Sequence, residues 1–139
     1  MKLRHRSVIL GAAILAAVRL WCAEPPAAAE AMRLAREAAD AADAKDFSTY
    51  LAKMEAAAAL RPDFPRILTN LAAAQLANDH PDDALATLGR LAALGAHSPV
   101  DKSEEFAVLR GRKEFTDVVA RLAKNLESKG DAAIAFTVP

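Results

Sequence analysis

The most constraining feature of this sequence is a series of alanine-rich apolar segments with helical spacing, separated by proline, glycine or polar turns. Hydrophobic residues make up 53% of the 139 residues but aromatic residues only 5%, and alanine accounts for the difference. Alanine has the highest helix propensity, and the β-branched residues that favour strands are few. The pattern therefore predicts an all-α fold of closely packed helices and argues against a β-sheet.

The first 23 residues have the organisation of a secretory signal peptide. They begin with Lys2, Arg4 and Arg6, continue with an apolar run at 8–18, and contain no acidic residue. That run is far shorter than the roughly 20 apolar residues of a spanning helix. A basic start, a short apolar centre and small residues at the end predict export, to the periplasm or the medium. No membrane span is expected after cleavage.

The end of the signal peptide leaves the cleavage site open. Cleavage after Ala23 is one possibility, and the Ala-Ala-Ala sequence at 27–29 offers another. Bacterial lipoproteins place a small residue before their lipid-carrying cysteine, whereas Trp21 precedes Cys22 here, which argues against a lipid anchor. Once Cys22 is removed, the mature chain has neither a disulfide nor a thiolate metal site.

The charge balance bears on the class of partner. The whole chain has a net charge of zero, and removing the signal peptide with its four basic residues leaves about −4. Nucleic-acid binding depends on basic side chains that neutralise phosphates. A mildly acidic domain is therefore not expected to bind nucleic acid.

After a short linker at 24–29, residues 30–129 are predicted to form one helical domain, and residues 130–139 to be an extended tail. About six helices are expected, the first at 30–44 and the sixth at 113–128. The sixth presents Phe115, Val118, Val119, Leu122 and Leu126 as its apolar face. Residues that commonly begin or end helices lie at the boundaries between them: Asp46 or Ser48, Pro65, Pro81, Gly95, Asp101 and Gly111.

The segment at 65–95 carries a repeat-like pattern, with Leu68 and Asn70-Leu71-Ala72 before a turn and Ala84-Leu85 where a second helix crosses the first. This segment resembles a tetratricopeptide repeat, whose period is roughly 34 residues. The segment at 30–62 matches less well, because Glu37 stands at an apolar position and Tyr50 at the small crossing position. The short connections predict three antiparallel helical hairpins, a plan that four- and six-helix bundles share, and the repeat favours a tetratricopeptide-like array over a generic bundle.

A second resemblance concerns the last third of the chain. The spacing of Phe106, Leu109, Phe115 and Val118, followed by the apolar segment at 135–139, is similar to the end of a helical module in certain exported bacterial proteins. In those proteins the module precedes a β-propeller of the gluconolactonase-like family. The resemblance implies that the tail is the first strand of a domain that follows.

The sequence contains no pattern typical of catalysis, metal binding or cofactor binding. His5, His80 and His97 are not at metal-ligand spacing, and no serine lies in a Gly-x-Ser-x-Gly sequence. The pairs Asp82-Asp83 and Glu104-Glu105 lie at helix starts, where negative charge is favourable. We therefore expect no catalytic residue, no metal site and no cofactor.

What the sequence does predict is a binding surface. Tetratricopeptide arrays bind extended peptides on the face formed by the first helix of each repeat. The resemblance implies that this face includes Arg36, Arg66, Thr69 and Asn70, with two arginines to hold a carboxylate and an asparagine to hold the ligand backbone. The leading hypothesis is an extracytoplasmic interaction module for a protein, a peptide or another domain. The alternative is the helical part of an exported gluconolactonase-like enzyme.

Overall fold

A computed structural model describes the backbone of residues 26–133 and the side chains of residues 26–127. The described residues form an all-α fold without strands, which confirms the predicted class of about six helices. The predicted signal peptide at 1–23 and residues 134–139 lie outside the described range. The elements are α1 (Pro26–Asp43), α2 (Phe47–Leu60), α3 (Pro65–Ala77), α4 (Pro81–Ala93), the 3-10 helices η1 (Val100–Lys102) and η2 (Glu104–Leu109), and α5 (Lys113–Ala133).

Most of the predicted boundary residues act as expected. Asp46 is the N-cap of α2, and its carboxylate accepts a hydrogen bond from the Thr49 backbone N–H at 3.1 Å. Pro65 and Pro81 occupy the first turns of α3 and α4, where a missing N–H costs nothing. Gly95 follows α4 with φ of 68°, a conformation that glycine adopts without the Cβ clash of other residues.

The first and last helices extend beyond their predicted bounds of 30–44 and 113–128. α1 begins at Pro26, so most of the predicted linker is helical, because proline is tolerated in a first turn and alanines follow it. Ala28 is already buried. α5 continues through Gly130 to Ala133, so residues 130–133 are not extended. A glycine inside a helix costs only about 1 kcal/mol, which is too little to end a helix by itself.

The fifth predicted helix differs from expectation. The chain forms two short 3-10 helices, and the N-cap of η2 is Ser103 rather than Asp101, without a side-chain cap bond. Phe106 and Leu109 are nevertheless buried, as their spacing predicted. Because 3-10 helices have three residues per turn, the spacing of three between Phe106 and Leu109 places both on one face.

α3 lies at the centre because it is buried on two faces. Ile67 and Leu71 pack toward α1 and α2, whereas Leu68 and Ala72 pack toward α4 and α5. The first core consists of Ala31, Ala38, Met54, Ala57, Ala58, Ile67, Leu71 and Ala74. The second consists of Leu68, Ala72, Ala73, Ala84, Leu85, Leu88, Leu91, Ala92, Ala96, Val100, Phe106, Leu109, Phe115, Val118 and Leu122.

Two residues that departed from the repeat pattern have structural partners. The Glu37 carboxylate accepts a hydrogen bond at 2.7 Å from the Lys53 ammonium and so connects α1 to α2. The Tyr50 hydroxyl donates to the Asn70 carbonyl oxygen at 3.1 Å and so connects α2 to α3. Both positions therefore contribute polar bridges between helices, and the Tyr50 side chain also packs against the first core.

In a series of antiparallel hairpins the fourth and sixth predicted helices run parallel, and α4 and α5 do so here, although the 3-10 helices η1 and η2 replace the fifth predicted helix. Contacts between α4 and α5 advance in the same direction along both: Arg112 reaches Asp82 at 2.7 Å, and the Asn125 amide donates to the Ala92 carbonyl at 3.0 Å. α5 therefore runs parallel to α4. The segment containing η1 and η2 returns the chain to the starting end of α4, which makes this arrangement possible.

The predicted inward position of Leu126 is also wrong, since this side chain is 52% exposed. The neighbouring Asn125 amide points at α4, where it donates to the carbonyl oxygens of Ala92 and Ala96. Consecutive residues of a helix differ by about 100° in direction, so Leu126 turns away from α4. Among the described helices, none combines the length and the apolar character needed to cross a bilayer.

Candidate functional site

A cavity of about 320 Å³ lies between α1 and α3. Three of the four residues predicted from the sequence, Arg36, Arg66 and Asn70, line it together although α2 separates them along the chain. The remaining lining residues are mainly apolar: Met32, Ala35, Ala39, Phe64 and Ile67. The structure therefore brings two guanidinium groups and one amide to the rim of a single apolar depression.

The helix arrangement explains this convergence. α1 and α3 both pack against α2 through short connections and therefore run in the same direction. Residues three or four apart share one side of a helix, as Arg36 and Ala39 do on α1 and Arg66 and Asn70 do on α3. Parallel stripes on two helices thus form the two walls of the cavity.

The guanidinium groups of Arg36 and Arg66 have no carboxylate within ion-pair distance among the side chains described at 26–127. Nearby arginines differ, because Arg33 pairs with Glu30 and Glu37 in α1. An unpaired guanidinium can take a carboxylate through two parallel hydrogen bonds without first breaking an internal ion pair.

The edge of the cavity near Arg66 is shaped by Phe64. The Arg61 guanidinium stacks over the Phe64 ring at 5.0 Å from its centroid, and its Nε lies 3.7 Å from an Asp63 carboxylate oxygen. These contacts hold the ring in place while compensating part of the charge of Arg61. The uncompensated positive charge at the rim therefore comes from Arg36 and Arg66.

The backbone of Asn70 is held by a hydrogen bond from Tyr50. The Tyr50 hydroxyl binds the Asn70 backbone carbonyl, whereas the Asn70 side-chain amide has no hydrogen-bond partner among the described residues. Burial, together with the negative charge of Glu105, raises the pKa of Tyr50 to about 12. The phenol therefore stays protonated at neutral pH, and the Asn70 amide has donors and an acceptor available for a ligand.

Thr69 is the predicted site residue that the structure does not bring into this cavity. Its hydroxyl donates to the Pro65 carbonyl at 3.1 Å, a bond within the first turn of α3. Thr69 precedes Asn70 by one position and so points about 100° away from it. Arg36, Arg66 and Asn70 share the cavity rim, and their binding role stays a prediction.

A second cavity of about 430 Å³, which the sequence reasoning missed, follows the first. Ala73, three residues after Asn70 on α3, lies in its wall together with Tyr50. Its lining comes from α1, α2, α3 and η2: Ala42, Asp43, Phe47, Tyr50, Ala73, Leu76, Ala77, Glu105 and Val108. The sequence offered one indication of this cavity, because Phe47 and Val108 are large apolar residues outside the apolar faces of their helices. In the structure Phe47 is 42% exposed and Val108 is 71% exposed.

The two histidines in the described range lie in connections between helices. His80 Nδ1 is 3.3 Å from an Asp83 carboxylate oxygen, and His97 Nδ1 is 3.3 Å from the Leu122 carbonyl oxygen. Asp82, predicted to be a helix-start charge, pairs with Arg112. Within the part of the chain that the structure describes, no three His, Cys, Asp or Glu side chains are grouped so that they could hold a metal ion.

Comparisons with protein-family models, with curated proteins and with solved structures found no match to this chain. The resemblances to tetratricopeptide repeats and to the helical module of gluconolactonase-like proteins therefore stay predictions. Phe106 and Phe115, which contributed to the second resemblance, are core residues here. The apolar segment at 135–139 lies outside the described residues.

Proposed function

We propose that this chain is an extracytoplasmic interaction module that binds an extended acidic segment of a partner protein between α1 and α3. The observation that carries the proposal is the shared cavity rim of Arg36, Arg66 and Asn70. An apolar depression with a few convergent polar groups is the usual form of a ligand site.

Each part of the rim has a defined task in this proposal. Arg36 and Arg66 hold a carboxylate of the ligand in a forked geometry, while the Asn70 amide binds a backbone N–H and C=O. Met32 and Ile67 in the cavity lining provide apolar contact for the stem of the bound residue. A single depression of about 320 Å³ suits one residue of a peptide better than a folded domain.

The extracytoplasmic location rests on the N-terminal sequence, namely the basic residues, the short apolar run and the small residues around Ala23. N-terminal sequencing of the protein recovered from the periplasm or the medium tests it. We expect the mature chain to begin after Ala23 or within 27–29. An intact N-terminus on protein that stays in the cytoplasm would contradict the export proposal.

Fluorescence anisotropy with a labelled Gly/Ser peptide carrying two adjacent glutamates tests the groove. Arg66→Ala and Arg36→Ala are expected to weaken binding about tenfold each, because a hydrogen bond to a charged group contributes about 1.5 kcal/mol or more. Asn70→Ala should weaken binding about fivefold. Arg90→Ala is the matched control, since it removes the same charge from the exposed end of α4.

The ionic strength of the assay gives a second check on the same proposal. Binding through two partly exposed guanidinium groups should weaken between 50 and 200 mM salt, because the Debye length shortens to below about 10 Å. The proposal fails if Arg36→Ala, Arg66→Ala and Asn70→Ala all retain wild-type affinity, or if Arg90→Ala reduces affinity as much as they do.

A further inference from the structure

The two cavities between α1 and α3 follow one another along the same pair of helices. On α1 the lining passes from Ala39 to Ala42, and on α3 it passes from Asn70 to Ala73, which is one helical turn in each case. Tyr50 lies at the junction, because its ring lines the second cavity and its hydroxyl binds the backbone of Asn70. The cavities are therefore two halves of one groove.

The two halves differ in charge. The first, here called the basic half, is lined by Arg36 and Arg66 and, among the side chains described at 26–127, by no carboxylate. The second, here called the acidic half, is lined by the carboxylates of Asp43 and Glu105 and by no basic side chain of that same range. Burial of the phenol raises the pKa of Tyr50, and the negative charge of Glu105 in the acidic half adds to this effect.

The acidic half also exposes apolar surface. Phe47 at the start of α2 and Val108 on η2 are among the few large hydrophobic side chains with substantial exposure in the described part of the chain. Both line the acidic half. Exposed apolar side chains rimmed by charges are typical of a contact surface. This half is thus suited to an apolar side chain that has a basic neighbour.

The distance between the halves sets the spacing of the ligand. From the basic half to the acidic half, the average position of the lining residues advances by about eight residues along α3 and by about seven along α1. At 1.5 Å per helical residue this distance is roughly 10–13 Å. An extended peptide advances about 3.3 Å per residue, so roughly three to four residues cover this distance. A helical ligand does not fit the chemistry of the Asn70 amide, because its backbone groups are already paired within the helix.

We propose that both halves bind one extended peptide, with an acidic residue in the basic half and, about three to four residues away, an apolar residue next to a lysine or arginine in the acidic half. This inference rests on the function proposed above and adds to it the ligand pattern. η2 takes part in specificity because it supplies Glu105 and Val108 to the acidic half.

Labelled Gly/Ser peptides test the pattern by fluorescence anisotropy with the purified protein. The reference peptide carries two adjacent glutamates, and the test peptides add a Phe-Lys pair at separations of one to seven residues, in both orders. We expect the dissociation constant to fall about tenfold at a separation of about three to four residues in one of the orders, and by less than about twofold at the shortest and longest separations.

Two variants connect this gain to the acidic half. Val108→Ser and Glu105→Gln change exposed side chains of η2 and should bring the best test peptide to within about twofold of the reference peptide. Neither should change the affinity of the reference peptide, which Arg66→Ala should weaken. Circular dichroism of each variant verifies that the helical content is unchanged.

The outcomes separate the two proposals. If the reference peptide binds but the Phe-Lys pair gives no gain, or a gain that persists in both η2 variants, the ligand pattern is wrong and the proposed function stands. If the reference peptide does not bind at all, both fail. A dimer in analytical ultracentrifugation that Val108→Ser dissociates would assign the acidic half to a second copy of the chain, and this too overturns the pattern.

Discussion

Replacing Phe106 with alanine tests the role of η2 in the fold. Phe106 is 1% exposed and belongs to the core that joins α3, α4 and α5. Val108, two residues later in the same element, is 71% exposed. Because both side chains lie on one short 3-10 helix, their truncation compares a core anchor with a surface residue at nearly the same backbone position.

The expected magnitudes follow from burial. Truncating a fully buried phenylalanine costs about 3–5 kcal/mol, since it removes apolar contact and leaves a cavity. Truncating an exposed side chain away from such features changes the stability by less than about 0.5 kcal/mol. With a urea slope of about 1.5 kcal/mol per molar, Phe106→Ala should lower the midpoint by about 2–3 M. Val108→Ala should leave the midpoint nearly unchanged.

Urea denaturation followed by circular dichroism at 222 nm measures both midpoints and slopes. A loss below about 1 kcal/mol for Phe106→Ala, or equal losses for the two variants, would refute the assignment of Phe106 to the core. The peptide assay adds a functional measure, because a loosened η2 should reduce the contribution of the acidic half while leaving the reference peptide bound.

Three other predictions concern single positions. Gly95→Ala should destabilise the protein by about 1–2 kcal/mol because of its positive φ, whereas Gly111→Ala, which also has open space around its Cβ position, should be neutral or slightly stabilising in thermal melts. Tyr50 is the only tyrosine, and it should titrate by ultraviolet difference spectroscopy with a pKa of about 12. Its contribution to stability should decline as the pH rises from about 10 toward this value, because the phenol ionises first in the unfolded chain. Titration near 10 would contradict the burial of Tyr50. Hydrogen bonds from Thr49, first from its side chain and then from its backbone, lower the pKa of Asp46 below its ordinary 3.8. The cap should therefore stabilise the fold above that pH and lose its effect as the pH falls through the lowered value. Urea titrations at different pH measure this dependence, which Asp46→Ala should abolish.

Much of the fold could be predicted from local sequence. Pro65, Pro81 and Gly95 restrict the backbone by their own covalent structure, so they mark helix boundaries without reference to the tertiary fold. The apolar spacing of Phe115, Val118 and Leu122 reflects burial on one helical face, and it identified these core residues correctly. These features are local, and sequence patterns report local features well.

The errors arose where tertiary contacts, and not the local sequence, determine where a helix ends and which kind of helix forms. Gly130 was expected to end a helix, yet α5 continues to Ala133. The fifth predicted helix was wrong in form, because the chain folds there into the 3-10 helices η1 and η2. A short 3-10 segment has too few residues to show a distinct period.

In the candidate site, too, the residues set by a local pattern were predicted and those brought together by the tertiary fold were missed. Arg36, Arg66 and Asn70 were found because the repeat pattern gives equivalent positions on α1 and α3, and these helices lie side by side. Thr69 was included because one position of error in the helical phase cannot be resolved from the sequence, but its hydroxyl binds the Pro65 carbonyl. The acidic half was missed because its residues come from four separate elements that only the fold brings together.

The proposed function requires that the ligand binds in the groove between α1 and α3. The most direct measurement is a two-dimensional amide NMR titration of the protein with the two-glutamate peptide. The proposal predicts shift changes concentrated around Arg36, Ala39, Arg66 and Asn70, with little change on α5. Saturable changes confined to α4 and α5, or no saturable change at millimolar peptide, would contradict it.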